Sequence, residues 1–173
     1  MQQTTTITNN YRNTWINFIN STGIFEYFLT ITFDYGTSRQ TCYKSTNLLL
    51  HRINQRIFGR RYKKNNQFIT GFSFTELQKS GQPHFHIIIN TDHQYALKNK
   101  PSFELHLTRQ LYKFGYNYFS LAQKKHNSLL INNVVLKPVY SQKNLISYCT
   151  KTMHLNCNSS FISPLSTNGM LYI

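Results

Sequence analysis

A chain of 173 residues can bury one core, and 40% apolar with 15% aromatic residues excludes disorder by composition. Nineteen Lys and Arg against five Asp and Glu leave a formal charge of +14, which points to a polyanionic partner, nucleic acid ahead of an anionic membrane surface. Three cysteines without C-x-x-C argue against a disulfide framework, and the sequence shows no apolar signal core, membrane-length stretch or phosphate-binding G-x-x-x-x-G-K-[ST]. An intracellular, membrane-free protein without a nucleotide-driven motor is therefore expected.

Residues 1–24 are polar and read as a loose N-terminal arm with a short helix around Tyr11–Phe18. Tyr27–Phe33 is rich in β-branched and aromatic residues, the mark of a strand. Lys44–Phe58 repeats Leu49, Ile53 and Ile57 at helical spacing, Gly59 stops it, and the basic loop Arg60-Arg61-Tyr62-Lys63-Lys64 follows. Gln67–Glu76 and His84–Asn90 read as strands joined by the turn LQKSGQP. Pro101 opens a helix whose core stripe is Phe103, Leu107, Leu111 and Phe114. Tyr116–Leu121 and Asn133–Tyr140 complete the strands, and Ser141 caps a last helix running to about His154. Adjacent strands with packed helices predict an α+β domain around an antiparallel sheet of about five strands, spanning 25–157 and followed by an undefined tail at 158–173.

Two histidines one residue apart share a face of a strand, so His84 and His86 point one way and Phe85, Ile87 and Ile89 the other. Their Cα atoms lie about 7 Å apart on the strand rise, close enough for both imidazoles to reach one ion. Glu76, eight residues earlier, returns beside them if LQKSGQP forms a hairpin. Two imidazoles and a carboxylate leave coordination positions open, suiting Mg²⁺ or Mn²⁺ bound with a substrate phosphate; the ligand types also admit Zn²⁺.

The last helix supplies a second group. Leu145, Ile146, Cys149 and Met153 form its core side, while Asn144, Tyr148 and Lys151 share the flank beyond it. A tyrosine oxygen can be a covalent nucleophile, and a nearby lysine can favour the phenolate or hold a phosphate. With twelve tyrosines in the chain, Tyr148 could equally be a packing residue on this reading alone.

Taken in order, FLTITF at 28–33, His84-Phe85-His86 with upstream Glu76, and Tyr148 to Lys151 as Y-x-x-K resemble the HUH endonuclease superfamily. The likeness is in particular to single-tyrosine replication initiators (Rep proteins) of rolling-circle replicons, over roughly residues 26–155. The resemblance implies a ferredoxin-like or RNA-recognition-like sheet with the histidines on a central strand. It also implies metal-assisted nicking of single-stranded DNA at an origin hairpin, a 5′-phosphotyrosine intermediate on Tyr148, and rejoining of ends. The metal ligands would be His84, His86 and Glu76, with Lys151 assisting Tyr148. Thr30, Thr32, Arg60, Arg61, Lys63, Lys64 and Asn144 are candidates for holding the strand.

Many such initiators carry a helicase after the nuclease. None is present here, so the chain is either a piece of a longer initiator or works with a separate helicase. Thr152 stands where two-tyrosine relatives would place a second nucleophile, and Tyr140 ranks far below Tyr148. Single-tyrosine transposases or relaxases are the closest enzymatic alternative. A non-catalytic single-stranded nucleic-acid-binding sheet is the alternative of another class.

Overall fold

The computed structural model describes residues 2–79, 81, 83–90, 131–151, 160–165 and 171. In chain order these form α1 (Gln2–Ser21), β1 (Phe25–Phe33), α2 (Arg39–Phe58), β2 (Thr70–Leu77), β3 (Pro83–Asn90), β4 (Ile131–Pro138), α3 (Gln142–Cys149) and β5 (Ser160–Pro164). The five strands make one sheet in the order β4-β1-β3-β2-β5, and every pairing is antiparallel. The α+β expectation holds. The histidine strand β3 is the central one, between β1 and β2.

Alternation along β1 and β3 divides the interior into two layers. Leu29, Ile31 and Phe33 of β1 join Phe85, Ile87 and Ile89 of β3 on one face, packed against Leu49, Leu50, Ile53 and Ile57 of α2. The opposite face buries Phe72, Phe74 and Ile88 under Ile19 of α1 and Ile146 and Cys149 of α3. A register shift between Phe25 and Tyr27 lets Phe25 join the second layer while Tyr27 joins the first.

Local chemistry sets the element ends. The Ser38 hydroxyl accepts the Thr41 amide at the start of α2, and Gly59 at φ 83° ends it. Two buried asparagines then tie α2 to neighbouring chain. Asn54 accepts the Ile69 amide at 2.7 Å, and Asn47 accepts the Leu171 amide at 2.7 Å while donating to its carbonyl. Gly71 at φ 151° lies so close to β3 that any Cβ there would overlap the Ile88 carbonyl.

Several elements differ from the sequence expectations. The N-terminal arm is a 20-residue helix. Its Thr- and Asn-rich sequence is weakly helical on its own. Docking supplies the rest: Ile19 is fully buried, and Arg12 donates to the Ser147 carbonyl and hydroxyl at 3.0 Å and to the Thr150 hydroxyl at 3.3 Å. The tail contributes β5, which pairs with β2. The last helix stops at Cys149 rather than near His154. Thr150 turns its amide and hydroxyl back onto the Ile146 carbonyl. The expected helix from Pro101 and strand Tyr116–Leu121 lie outside the described residues.

Candidate active site

Strand register brings the candidate groups together at one end of the sheet. Glu76 stands directly opposite His84 across the β2–β3 hairpin, and Thr30 directly opposite His86 across β1–β3. Side chains directly across such pairs share a face, so Thr30, Thr32, Glu76, His84 and His86 all project toward the α1–α3 side. The His84 and His86 rings lean together until their centroids are 4.4 Å apart. His86 Nε2 is 3.8 Å from Glu76 Oε2.

Each imidazole is held at its other nitrogen. His86 Nδ1 shares a 3.1 Å hydrogen bond with the Thr30 hydroxyl, and His84 Nδ1 a 3.1 Å hydrogen bond with that of Thr32. Phe28 stacks on the His86 ring at 5.2 Å and 19°. The two threonines expected at the DNA therefore engage the histidines. Their strand-alternation spacing with Phe28 is visible in the sequence, but their partners depend on the pairing of β1 with β3, which is not.

Burial sets the charge state. His86 is 3% exposed, and desolvation, with His84 and Lys151 nearby, lowers its pKa to about 3. Desolvation also lowers that of His84, with Lys151 adding and Glu76 opposing. Both imidazoles are thus neutral at pH 7, the form in which a ring nitrogen can ligate a metal.

Tyr148 comes from the last turn of α3. Its ring meets the His86 ring edge to face at 5.7 Å, and the side chain is half exposed. Lys151 lies just past the helix end, yet its ammonium hangs over the Tyr148 ring, 3.9 Å from the centroid. Ile146 and Cys149 are buried on the other side of the helix, where desolvation pushes the Cys149 thiol up to about 12 and keeps it protonated. Asn144 lies exposed one turn before Tyr148, and its amide donates to Ser141 Oγ. Tyr140 is 93% exposed ahead of α3, with the preceding Val139 amide bonded to the Glu26 carbonyl. Tyr148 is therefore the tyrosine that the described structure brings to the histidines.

Not every expected residue gathers here. Arg60, Arg61, Lys63 and Lys64 precede β2, whereas Glu76 is near its end. Six strand residues, about 20 Å, separate Thr70 from Glu76. Of the remaining histidines, His51 Nδ1 bonds the Tyr62 hydroxyl at 2.8 Å, and His93, His106, His126 and His154 lie outside the described residues. Cys42 and Cys149 are buried free thiols.

The histidine strand, the facing carboxylate and the tyrosine helix define an α+β protein with a polar site at one end of its sheet. The family model for replication-associated proteins of the ORF2 type matches residues 26–154, and the chain belongs to that family. The matched stretch contains β1, α2, β2, β3, β4 and α3; α1 and β5 lie outside it. No curated protein and no solved structure matches the chain.

Among the described residues, no three His, Cys, Asp or Glu side chains form a group able to hold a metal ion. The nearest set is His84, His86 and Glu76. Its chemistry nevertheless fits a divalent ion: two neutral imidazoles anchored through Nδ1, with a carboxylate oxygen 3.8 Å from His86 Nε2. Completing the set requires side-chain rotation about χ, not movement of the strands, because Glu76 and His84 are already cross-strand partners.

Proposed function

We propose that this replication-associated protein is a nicking and rejoining enzyme of the HUH type, acting on single-stranded DNA at a replicon origin. The observation that carries the reading is Tyr148 packed against His86, itself beside His84 and Glu76, in a chain of a replication-associated family.

In the proposed roles, each Nδ1–H donates to its threonine, leaving both Nε2 lone pairs for Mg²⁺ or Mn²⁺ together with Glu76. A divalent ion bound there would supply Lewis-acid stabilisation of charge on a phosphate oxygen. Tyr148, held at the rim by its ring, attacks phosphorus with its phenol oxygen. The Tyr148 oxygen–phosphorus bond forms as the bond from phosphorus to the 3′-oxygen breaks. The leaving 3′-oxygen takes up a proton, and the tyrosine proton is lost to solvent. Lys151, above the ring, favours the phenolate and draws the phosphate. One phosphoester replaces another, so an incoming 3′-hydroxyl can reverse the step and join ends without ATP.

The partners that follow are single-stranded DNA presented by an origin hairpin, and a separate helicase that opens the duplex. The test is incubation of the protein with replicon-derived single strands and Mn²⁺, with separation of protein–DNA adducts. Wild type is expected to form a covalent adduct and His84→Ala to lose it while keeping most DNA binding. Equal cleavage by His84→Ala would overturn the metal assignment.

A further inference from the structure

Residues 35–75 contain no Asp or Glu but carry eight of the nineteen Lys and Arg. Five of these, Arg56, Arg60, Arg61, Lys63 and Lys64, are exposed at the end of α2 and in the turn after it. The turn is built rather than loose. Gly59 bends it at φ 83°, and the Tyr62, Asn65, Asn66 and Gln67 amides donate to the Gly59, Arg61, Lys63 and Tyr62 carbonyls at 2.9–3.2 Å. Tyr62 is its anchor, 1% exposed with its hydroxyl bonded to His51. Four neighbouring cations are thus held in place with no carboxylate nearby in sequence.

Position separates this patch from the site above. The turn leads into the start of β2, and Glu76 is about 20 Å further along that strand. The patch also follows α2, which packs on the sheet face opposite the one presenting His84 and His86. A nucleotide at Tyr148 does not contact the turn.

The aromatic content says what kind of polyanion fits. Single strands are gripped by cations together with aromatic faces on which bases stack. Here the one aromatic of the turn is buried, and Phe58 before it is partly buried against the core. Exposed cations without exposed rings suit regularly spaced phosphates of a duplex, whose bases are already stacked. We infer that the α2 end and the Arg60–Lys64 turn form a second DNA-binding surface that docks double-helical DNA apart from the tyrosine site. The choice of DNA rests on the replication reading; the separation and the preference for phosphates rest on the patch itself.

The test uses the full chain, a 20-base-pair duplex and a 20-nucleotide single strand, with chelator present so that no metal-dependent step intervenes. Affinity is measured from 50 to 200 mM salt for wild type and for the variant carrying Arg60→Gln, Arg61→Gln, Lys63→Gln and Lys64→Gln. Four lost phosphate contacts flatten the slope of log affinity against log salt by about 3.6 for the duplex, at roughly 0.9 per contact. The single strand is expected to lose much less. The double variant Arg60→Gln, Lys64→Gln gives about half the change and guards against a folding defect, which circular dichroism would reveal. An unchanged duplex slope, an equal loss for both DNAs, or preferential binding to anionic phosphatidylserine vesicles overturns the proposal. If no adduct ever forms on Tyr148 but the duplex slope flattens, the nicking reading fails and this surface stands.

Discussion

Thr30 shows how one hydroxyl can govern a site it does not enter. Its hydrogen bond fixes the His86 ring and directs Nε2 toward Glu76. Outer partners of this kind typically change metal affinity 10–100-fold. Thr30→Val is expected to weaken Mn²⁺ binding by about that range in calorimetric titration, with Thr30→Ser restoring it; unchanged affinity in Thr30→Val would remove the threonine from the site. Buried His86 also makes a pH prediction. Its pKa is about 3 folded, against 6.5 ordinarily. Between those values the unfolded chain takes up a proton and the folded chain does not. The stability due to neutral His86 is therefore full above about pH 6.5 and lost as pH falls toward 3. His84 and His51 shift in the same direction. The urea midpoint, measured with chelator present, should fall from pH 7.5 to 5.5, and His86→Gln should show a shallower fall. A wild-type midpoint independent of pH over this interval would contradict the burial account.

At the scale of elements, α2 is tied to its neighbours by side-chain amides as well as apolar packing. Asn54→Ala leaves the buried Ile69 amide without its acceptor, a loss of about 1–3 kcal/mol. Chemical denaturation checks this, and a change near zero would mean that water replaces the asparagine. The strands and α2 were legible because their apolar periods are strong: β1 alternates cleanly and α2 repeats Leu49, Ile53 and Ile57. The helix α1 was not, since its residues are poor helix formers stabilised by Arg12 and Ile19 contacts with distant chain. The end of α3 was also hidden, because Thr150 reads as an ordinary helical residue until its hydroxyl is seen on the Ile146 carbonyl. His84, His86, Glu76, Tyr148 and Lys151 could all be picked from spacing. What spacing did not reveal is that Thr30 and Thr32 address histidine nitrogens, because cross-strand register comes only with folding.

Across the whole molecule, the chain's two ends close the sheet and its partner layers. β5 covers the edge of β2, and Leu171 is held by Asn47 on α2. Deleting residues 160–173 should expose the β2 edge and lower the thermal midpoint, with aggregation visible in light scattering; an unchanged midpoint would show that the tail is dispensable. The tail's Ser- and Asn-rich composition hides this role. The basic charge is likewise unevenly used: Lys151 reaches Tyr148, whereas Arg60 and Lys64 occupy the far end of β2. Among the described residues no helix is long and apolar enough to cross a membrane. The central claim is that Tyr148 becomes covalently joined to DNA. Mass spectrometry of peptides from protein incubated with a replicon-derived single strand and Mn²⁺ tests it directly. A nucleotide adduct on the Tyr148 peptide, absent in Tyr148→Phe, is the predicted result; an adduct on another residue, or an undiminished adduct in Tyr148→Phe, would contradict it.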